Sequence, residues 1–124
     1  MRVIDSSGWL EWFTDGPLAG QYQRFLEKPR EILLPAIVVY EVYKILKRER
    51  GEEMGLLALG QMQQSEVVVL DTSLALHAAD LSLRHGLAMA DAIVYATARA
   101  RGCELVTSDA DLKGLEGVVF LPKV

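Results

Sequence analysis

Four acids in this chain stand where an acid is energetically out of place. Asp5 follows the apolar pair Val3 and Ile4, and Asp109 follows the run Leu105, Val106 and Thr107. Glu41 and Asp91 lie within apolar helical patterns. Two bare carboxylates about 4 Å apart, at an effective dielectric near ~20, repel by ~4 kcal/mol. A fold that gathers several of them must protonate some or hold a cation among them. The chemistry this suggests is a divalent-metal site, and the reaction is metal-assisted hydrolysis of a phosphodiester.

Each acid also has a plainer reading. Asp5 precedes Ser6, Ser7 and Gly8, a cluster that suits a helix cap or turn. Glu41 comes three residues after Val38 and four before Ile45, so in a helix it shares their buried stripe. Its alternative is a partly buried glutamate paired with a lysine. Asp91 falls in the first turn of a helix, where the dipole favours an acid by ~0.3–1 kcal/mol. That alone does not explain why it faces the same way as Val94, Tyr95 and Ala98. Of Asp109 and Asp111, the first is nearer the strand end and is taken for the site, while Asp111 is expected to cap the next turn or to stand behind the ligands. Thr107 and Ser7 are candidates to orient the carboxylates by hydrogen bonding.

Other ligand chemistries are excluded. Cys103 is the one cysteine, which removes a disulfide framework and a thiolate metal site. His77 and His85 are too far apart to share a metal from adjacent helical turns, so any metal is oxygen-ligated, as Mg²⁺ or Mn²⁺ would be. The net charge of −4 is unlike that of a protein binding nucleic acid by bulk charge. A local basic strip is then required. Lys44 and Arg48, one and two turns beyond Glu41, with Lys47 beside them, are the candidates; a solvated helix end complementing the dipole is the alternative. Trp9, Trp12 and Tyr40 are either base-stacking platforms or core and subunit contacts. The N-terminus has no apolar signal core, and the longest apolar stretch, residues 36–46, is interrupted by Glu41 and Lys44. It is far short of a membrane span, and the expected location is the cytoplasm.

The elements that must position these residues follow from periodicity. The 124 residues, 51% apolar with four prolines, suit one domain spanning 1–124 with a substantial core. Strands are expected at 3–4, 32–34, 67–70, 105–107 and 118–120. Short helices follow the first strand, the second of them carrying Tyr22, Phe25 and Leu26 on its apolar side. Pro35 suits the first turn of a long helix to Arg50, stopped by Gly51, although the run from Ile37 to Tyr40 has strand propensity. A further helix is expected over 52–64, where Gly55 and Gly60 suggest close packing, with another subunit as one candidate partner. Thr72 is expected to cap a helix ending near Gly86, and another runs over 88–101. Alternating strands and helices imply a three-layer α/β/α fold around a mostly parallel sheet of four to five strands. In such sheets the site lies beyond the C-terminal strand edge, where strand order switches.

The sequence resembles the PIN-domain ribonucleases, specifically the VapC toxins of toxin–antitoxin pairs, along essentially its whole length. Val3-Ile4-Asp5-Ser6-Ser7 is similar to that family's first strand and aspartate, and Leu34-Pro35 leading to Glu41 is similar to its proline-started helix. Gly86-Leu87, Ala90-Asp91-Ala92 and Ala96-Thr97-Ala98 resemble its third acidic block, and the run from Leu105 to Asp111 its closing motif. Two departures are Ala88, where Ser or Pro is usual and which leaves a helix start poorly capped, and Leu112 in place of an aromatic. The resemblance implies a Mg²⁺- or Mn²⁺-dependent endoribonuclease with Asp5, Glu41, Asp91 and Asp109 as catalytic and metal-binding residues. It implies an RNA substrate, products bearing a 5′-phosphate and a 3′-hydroxyl, a homodimer, and a cognate antitoxin whose tail blocks the acidic pocket. Two alternatives are a PIN scaffold serving RNA maturation or binding, and a receiver-like phosphoacceptor domain. The latter wants adjacent acids after strand one and a supported aspartate after strand three. Asp71 follows strand three without those partners, and Lys123 follows Pro122 instead of preceding it.

Overall fold

Val3, Ile4, Leu33, Leu34, Leu105 and Val106 are all buried, so side chains on both faces of the central strands are covered. This is the signature of a parallel sheet between two helical layers. The computed structural model describes residues 1–123. In chain order the elements are β1 (Arg2–Ile4), α1 (Ser6–Phe13), α2 (Ala19–Leu26), β2 (Ile32–Pro35), α3 (Ala36–Arg50) and α4 (Glu52–Met62). There follow β3 (Glu66–Val68), α5 (Thr72–His85), α6 (Met89–Ala100), β4 (Glu104–Thr107) and β5 (Val118–Phe120). The 3₁₀ turns Pro29–Glu31 and Ala110–Leu112 complete the path.

The five strands form one sheet in the order β3-β2-β1-β4-β5, parallel at every pairing. The chain builds outward from β1 in one direction, then crosses to lay β4 on its other side. The order therefore switches between β1 and β4, where the C-terminal edge opens into a crevice. The two strands are held in register by Val3 opposite Leu105 and Ile4 opposite Val106. A receiver-like fold has the order 2-1-3-4-5. This sheet does not, and Asp71 is occupied as the α5 cap, so the phosphoacceptor alternative is set aside.

Helix α3 forms despite its β-branched start, because Val38, Val42 and Leu46 make one fully buried stripe against the sheet. Pro35 ends β2 and serves as the N-cap of α3, one position earlier than expected. Gly51, at φ 95°, then lets α3 pass into α4 through a single residue. Gly55 packs on Tyr43 of the same chain's α3, while Gly60 faces open space, so neither glycine requires a second subunit.

Two expectations are corrected. Strand β3 covers Glu66–Val68, not 67–70, and Val69 and Leu70 are exposed. As an edge strand paired only with β2, it lacks the second neighbour that would extend it. The cap of α5 is Asp71 instead of Thr72, with its Oδ1 accepting from the Leu74 amide at 2.8 Å.

Candidate metal centre

Asp5 leaves β1 with its amide still donating to the Val106 carbonyl (2.9 Å), so the β1–β4 pairing carries it to the switch point. Its backbone is extended (φ −66°, ψ 161°) and caps α1, with Oδ1 accepting from the Ser6 amide at 2.8 Å. Oδ2 accepts from the Thr107 hydroxyl at 2.7 Å and, more loosely, from Ser7 Oγ at 3.4 Å. Three of roughly four acceptor positions on the carboxylate are thus filled, which fixes its plane and leaves one for a ligand. Asp5 is only 4% exposed, and burial pushes its pKa up against the hydrogen bonds from Thr107 and Ser6 that lower it.

Asp109 is brought in by the same joint. Its amide donates to Thr107 Oγ1 (2.9 Å), leaving the Thr107 hydroxyl proton for Asp5. Thr107 therefore fastens two acids from strands distant in sequence with one oxygen. Ser7 repeats the pattern, accepting from the Ser108 amide at 3.1 Å while donating to Asp5. The capping expectation is reversed here. Asp109 caps the 3₁₀ turn by accepting from the Asp111 amide (2.9 Å), which frees the exposed Asp111 carboxylate to approach its neighbours.

Asp91 lies in the first turn of α6, and Ala88 before it makes no side-chain cap, as its type led one to expect. Asp91, Asp109 and Asp111 each present a carboxylate oxygen, all within 4.8 Å of one another. Burial first, then the charge of Asp109 and a hydrogen bond to it, then Asp5 and Asp111, push Asp91 up to about 7. Glu41 is half-buried on α3 and is also raised. Burial is the main cause, followed by Asp5 and then Asp109, against the Ser6 side chain and Lys44. Asp5, Glu41 and Asp91 thus each feel the charge of Asp109, and Glu41 and Asp91 feel that of Asp5 as well. Asp111 adds to the field at Asp91, while Asp5 and Glu41 stand outside the close group of three. This all-oxygen, mutually repelling donor set suits a divalent cation.

Lys44 and Arg48 line a cavity of about 190 Å³ with Tyr40, Glu41 and Ile45, so a groove with two cations adjoins Glu41. Lys44 lies over the Tyr40 ring, 5.4 Å from its centroid. Lys47 is not part of this groove: it turns toward α4, pairing with Glu52 at 3.6 Å over the Tyr43 ring. Trp9 is buried and stacks on Phe13, and Trp12 packs against the core, so of the three aromatics only Tyr40 is exposed. A larger cavity, about 490 Å³, lies between β3 and the α5–α6 pair, lined by His77, Arg99 and Arg101 among others and by none of the four acids. Sequence reasoning missed Tyr22 and Ser108, which share a buried hydrogen bond of 2.6 Å beside the joint. The only signals were a tyrosine where phenylalanine would fill the same space, and the serine between Thr107 and Asp109.

Compared with known families, the chain matches the PIN domain over residues 2–118. The chain belongs to the PIN-domain family. Several solved structures share its fold closely. A toxin–antitoxin complex from Klebsiella pneumoniae superposes with a TM-score of 0.80 at 23% identity, covering 96% of each chain. VapC20 from Mycobacterium tuberculosis, described as a sarcin-ricin loop cleaving toxin, gives 0.75 at 19% identity over 91% of this chain and 92% of its own. DNA-bound VapBC from Salmonella typhimurium gives 0.76 at 19% identity, over 98% and 96%. No match to a curated protein was found at the sequence level. In this PIN domain Leu112, at the place of the usual aromatic, is fully buried and keeps the closing turn packed.

Proposed function

We propose that this PIN domain is a divalent-metal-dependent endoribonuclease and the toxin of a toxin–antitoxin pair. The observation that carries the reading is the convergence on Asp91: Asp109 and Asp111 offer oxygens beside it, and together with burial and Asp5 they push its carboxyl up to about 7. Asp5 and Asp91 would hold Mg²⁺ or Mn²⁺, with Glu41 and Asp109 completing the set directly or through water, and Asp111 at its outer side. When bound there, such a cation supplies charge against the scissile phosphate and lowers the pKa of a water.

The chain's own residues do the rest. Thr107 and Ser7 hold Asp5 in one orientation, so the site is shaped before substrate arrives. Glu41 or Asp109 orients the attacking water and takes its proton. Lys44 and Arg48 grip phosphates flanking the scissile one, giving an acidic protein a local cationic track. Lys47, paired with Glu52, lies outside that groove.

The toxin–antitoxin neighbours support a cognate antitoxin, and the sarcin-ricin loop cleaving neighbour supports an RNA substrate. A homodimer and a cytoplasmic site of action belong to the same proposal. No helix among the described residues is long and apolar enough to cross a membrane. The test is growth on induced expression of the natural chain against Asp5→Asn, with cleavage of total RNA in vitro. Arrest and Mg²⁺-dependent cleavage, both lost in the variant, are expected. Cleavage without arrest would replace the toxin by a maturation enzyme, and no cleavage would remove the nuclease.

A further inference from the structure

We propose that Tyr22 is a positioning residue for the metal centre, acting through Ser108 to hold the two acid-bearing loops together. This inference rests on the metal-dependent reading above. Tyr22 lies on α2 with none of its surface exposed, in a place where its ring alone would serve as filler. A buried phenol nevertheless needs a hydrogen-bond partner, and this one has Ser108 Oγ at 2.6 Å. The neighbouring helix is cut to admit it. Gly8 on α1 lies so close to the ring that any added Cβ would run into Tyr22 and Ile4.

Ser108 stands between the two acids' attachments. Ahead of it, Thr107 Oγ1 donates to Asp5; behind it, the Asp109 amide donates to Thr107 Oγ1. Its own amide donates to Ser7 Oγ, which in turn reaches Asp5. These bonds tie the β1–α1 loop to the β4 loop, but they lie only within the pair of loops. The side chain of Ser108 reaches outside that pair to grasp Tyr22, whose hydroxyl also stands near the Ser7 side chain. Without a cation, the like charges of Asp5 and Asp109 push the loops apart, and the phenol on a separate helix opposes that movement. Tyr22 touches neither metal nor substrate, so its effect must appear as affinity for the metal.

The test is Mn²⁺ titration by calorimetry on the full chain, with unfolding temperature measured in parallel. Tyr22→Phe keeps the ring and is expected to weaken Mn²⁺ binding by about tenfold. Ser108→Ala should weaken it similarly, and adding Tyr22→Phe to Ser108→Ala should change it by no more than about twofold, since one acts through the other. Thr97→Val, which breaks a buried bond to the Ile93 carbonyl (2.8 Å) on α6, should lower the unfolding temperature yet keep Mn²⁺ affinity within about twofold. Normal affinity in Tyr22→Phe, losses that multiply in the double variant, or an equal loss in Thr97→Val would each overturn the proposal. If Tyr22→Phe does not fold, Ser108→Ala carries the test, and normal affinity there overturns it. A natural chain that binds no Mn²⁺ defeats the nuclease reading and this inference together. A natural chain that binds while Tyr22→Phe binds equally well defeats the inference alone.

Discussion

Asp91 ties the electrostatics of the site to a measurable property of the fold. Its pKa is about 7 against an ordinary 3.8, so the folded chain holds a proton that the unfolded chain has released. A raised carboxyl contributes stability below about 3.8 that is lost as pH climbs toward about 7. Asp5 and Glu41 are shifted in the same direction, burial being the main cause for both. In a chelator, the unfolding temperature should therefore fall as pH rises across that window, and Asp91→Asn should flatten the slope. Added Mn²⁺ should raise the unfolding temperature more at pH ~8 than at pH ~5.5, because the ligands must be ionised to bind it. Thr107 offers a sharper single-residue case. Thr107→Val leaves one oxygen of Asp5 with only the long Ser7 bond and strands the Asp109 amide, both in buried or half-buried surroundings. A loss of about 1–3 kcal/mol in urea unfolding is expected, together with a fall in cleavage of about 10- to 100-fold.

Helix α3 carries Glu41 and, one and two turns on, Lys44 and Arg48, and a pair of substitutions tests the separate roles proposed for them. Lys44→Glu with Arg48→Glu should weaken binding of single-stranded RNA and lower the magnitude of its salt slope by about 1.4, from two lost phosphate contacts. Lys47→Glu should leave that slope unchanged, because Lys47 faces Glu52 on α4. Fluorescence anisotropy across a salt series reads both. Packing between α1 and α2 is equally exposed to test. Gly8→Ala places a methyl against Tyr22 and Ile4, with an expected cost of about 1–3 kcal/mol by urea unfolding. These elements show what the sequence could and could not announce. The Val38, Val42 and Leu46 stripe settled α3 as a helix against its local strand propensity, because burial of one face outweighs intrinsic preference. The run Val67, Val68, Val69 and Leu70 misled for the converse reason: apolar letters do not say how many neighbours a strand will have, and β3 has one. Which of two adjacent acids caps a turn was likewise illegible, since Asp109 and Asp111 differ only in where the backbone bends.

Across the molecule, strand order is what turns scattered acids into a site. Asp5 and Asp109 were separable from surface acids in the sequence because each ends a buried strand, and the sheet then sets those two strands side by side. Asp91 and Glu41 arrive from helices packed over the same edge, which periodicity suggested but only the tertiary arrangement could bring together. The contribution of Tyr22 was hidden because a hydroxyl partner 86 residues away leaves no local pattern. Gathering this much negative charge in a chain of net charge −4 makes sense if a cation is part of the working state. A crystal grown with Mn²⁺ and measured for anomalous scattering puts that to the test. The expected result is a peak bounded by Asp5, Asp91 and Asp109, absent when Asp91 is replaced by Asn. A well-ordered acidic edge with no peak at saturating Mn²⁺, or a peak only at another surface, would contradict it.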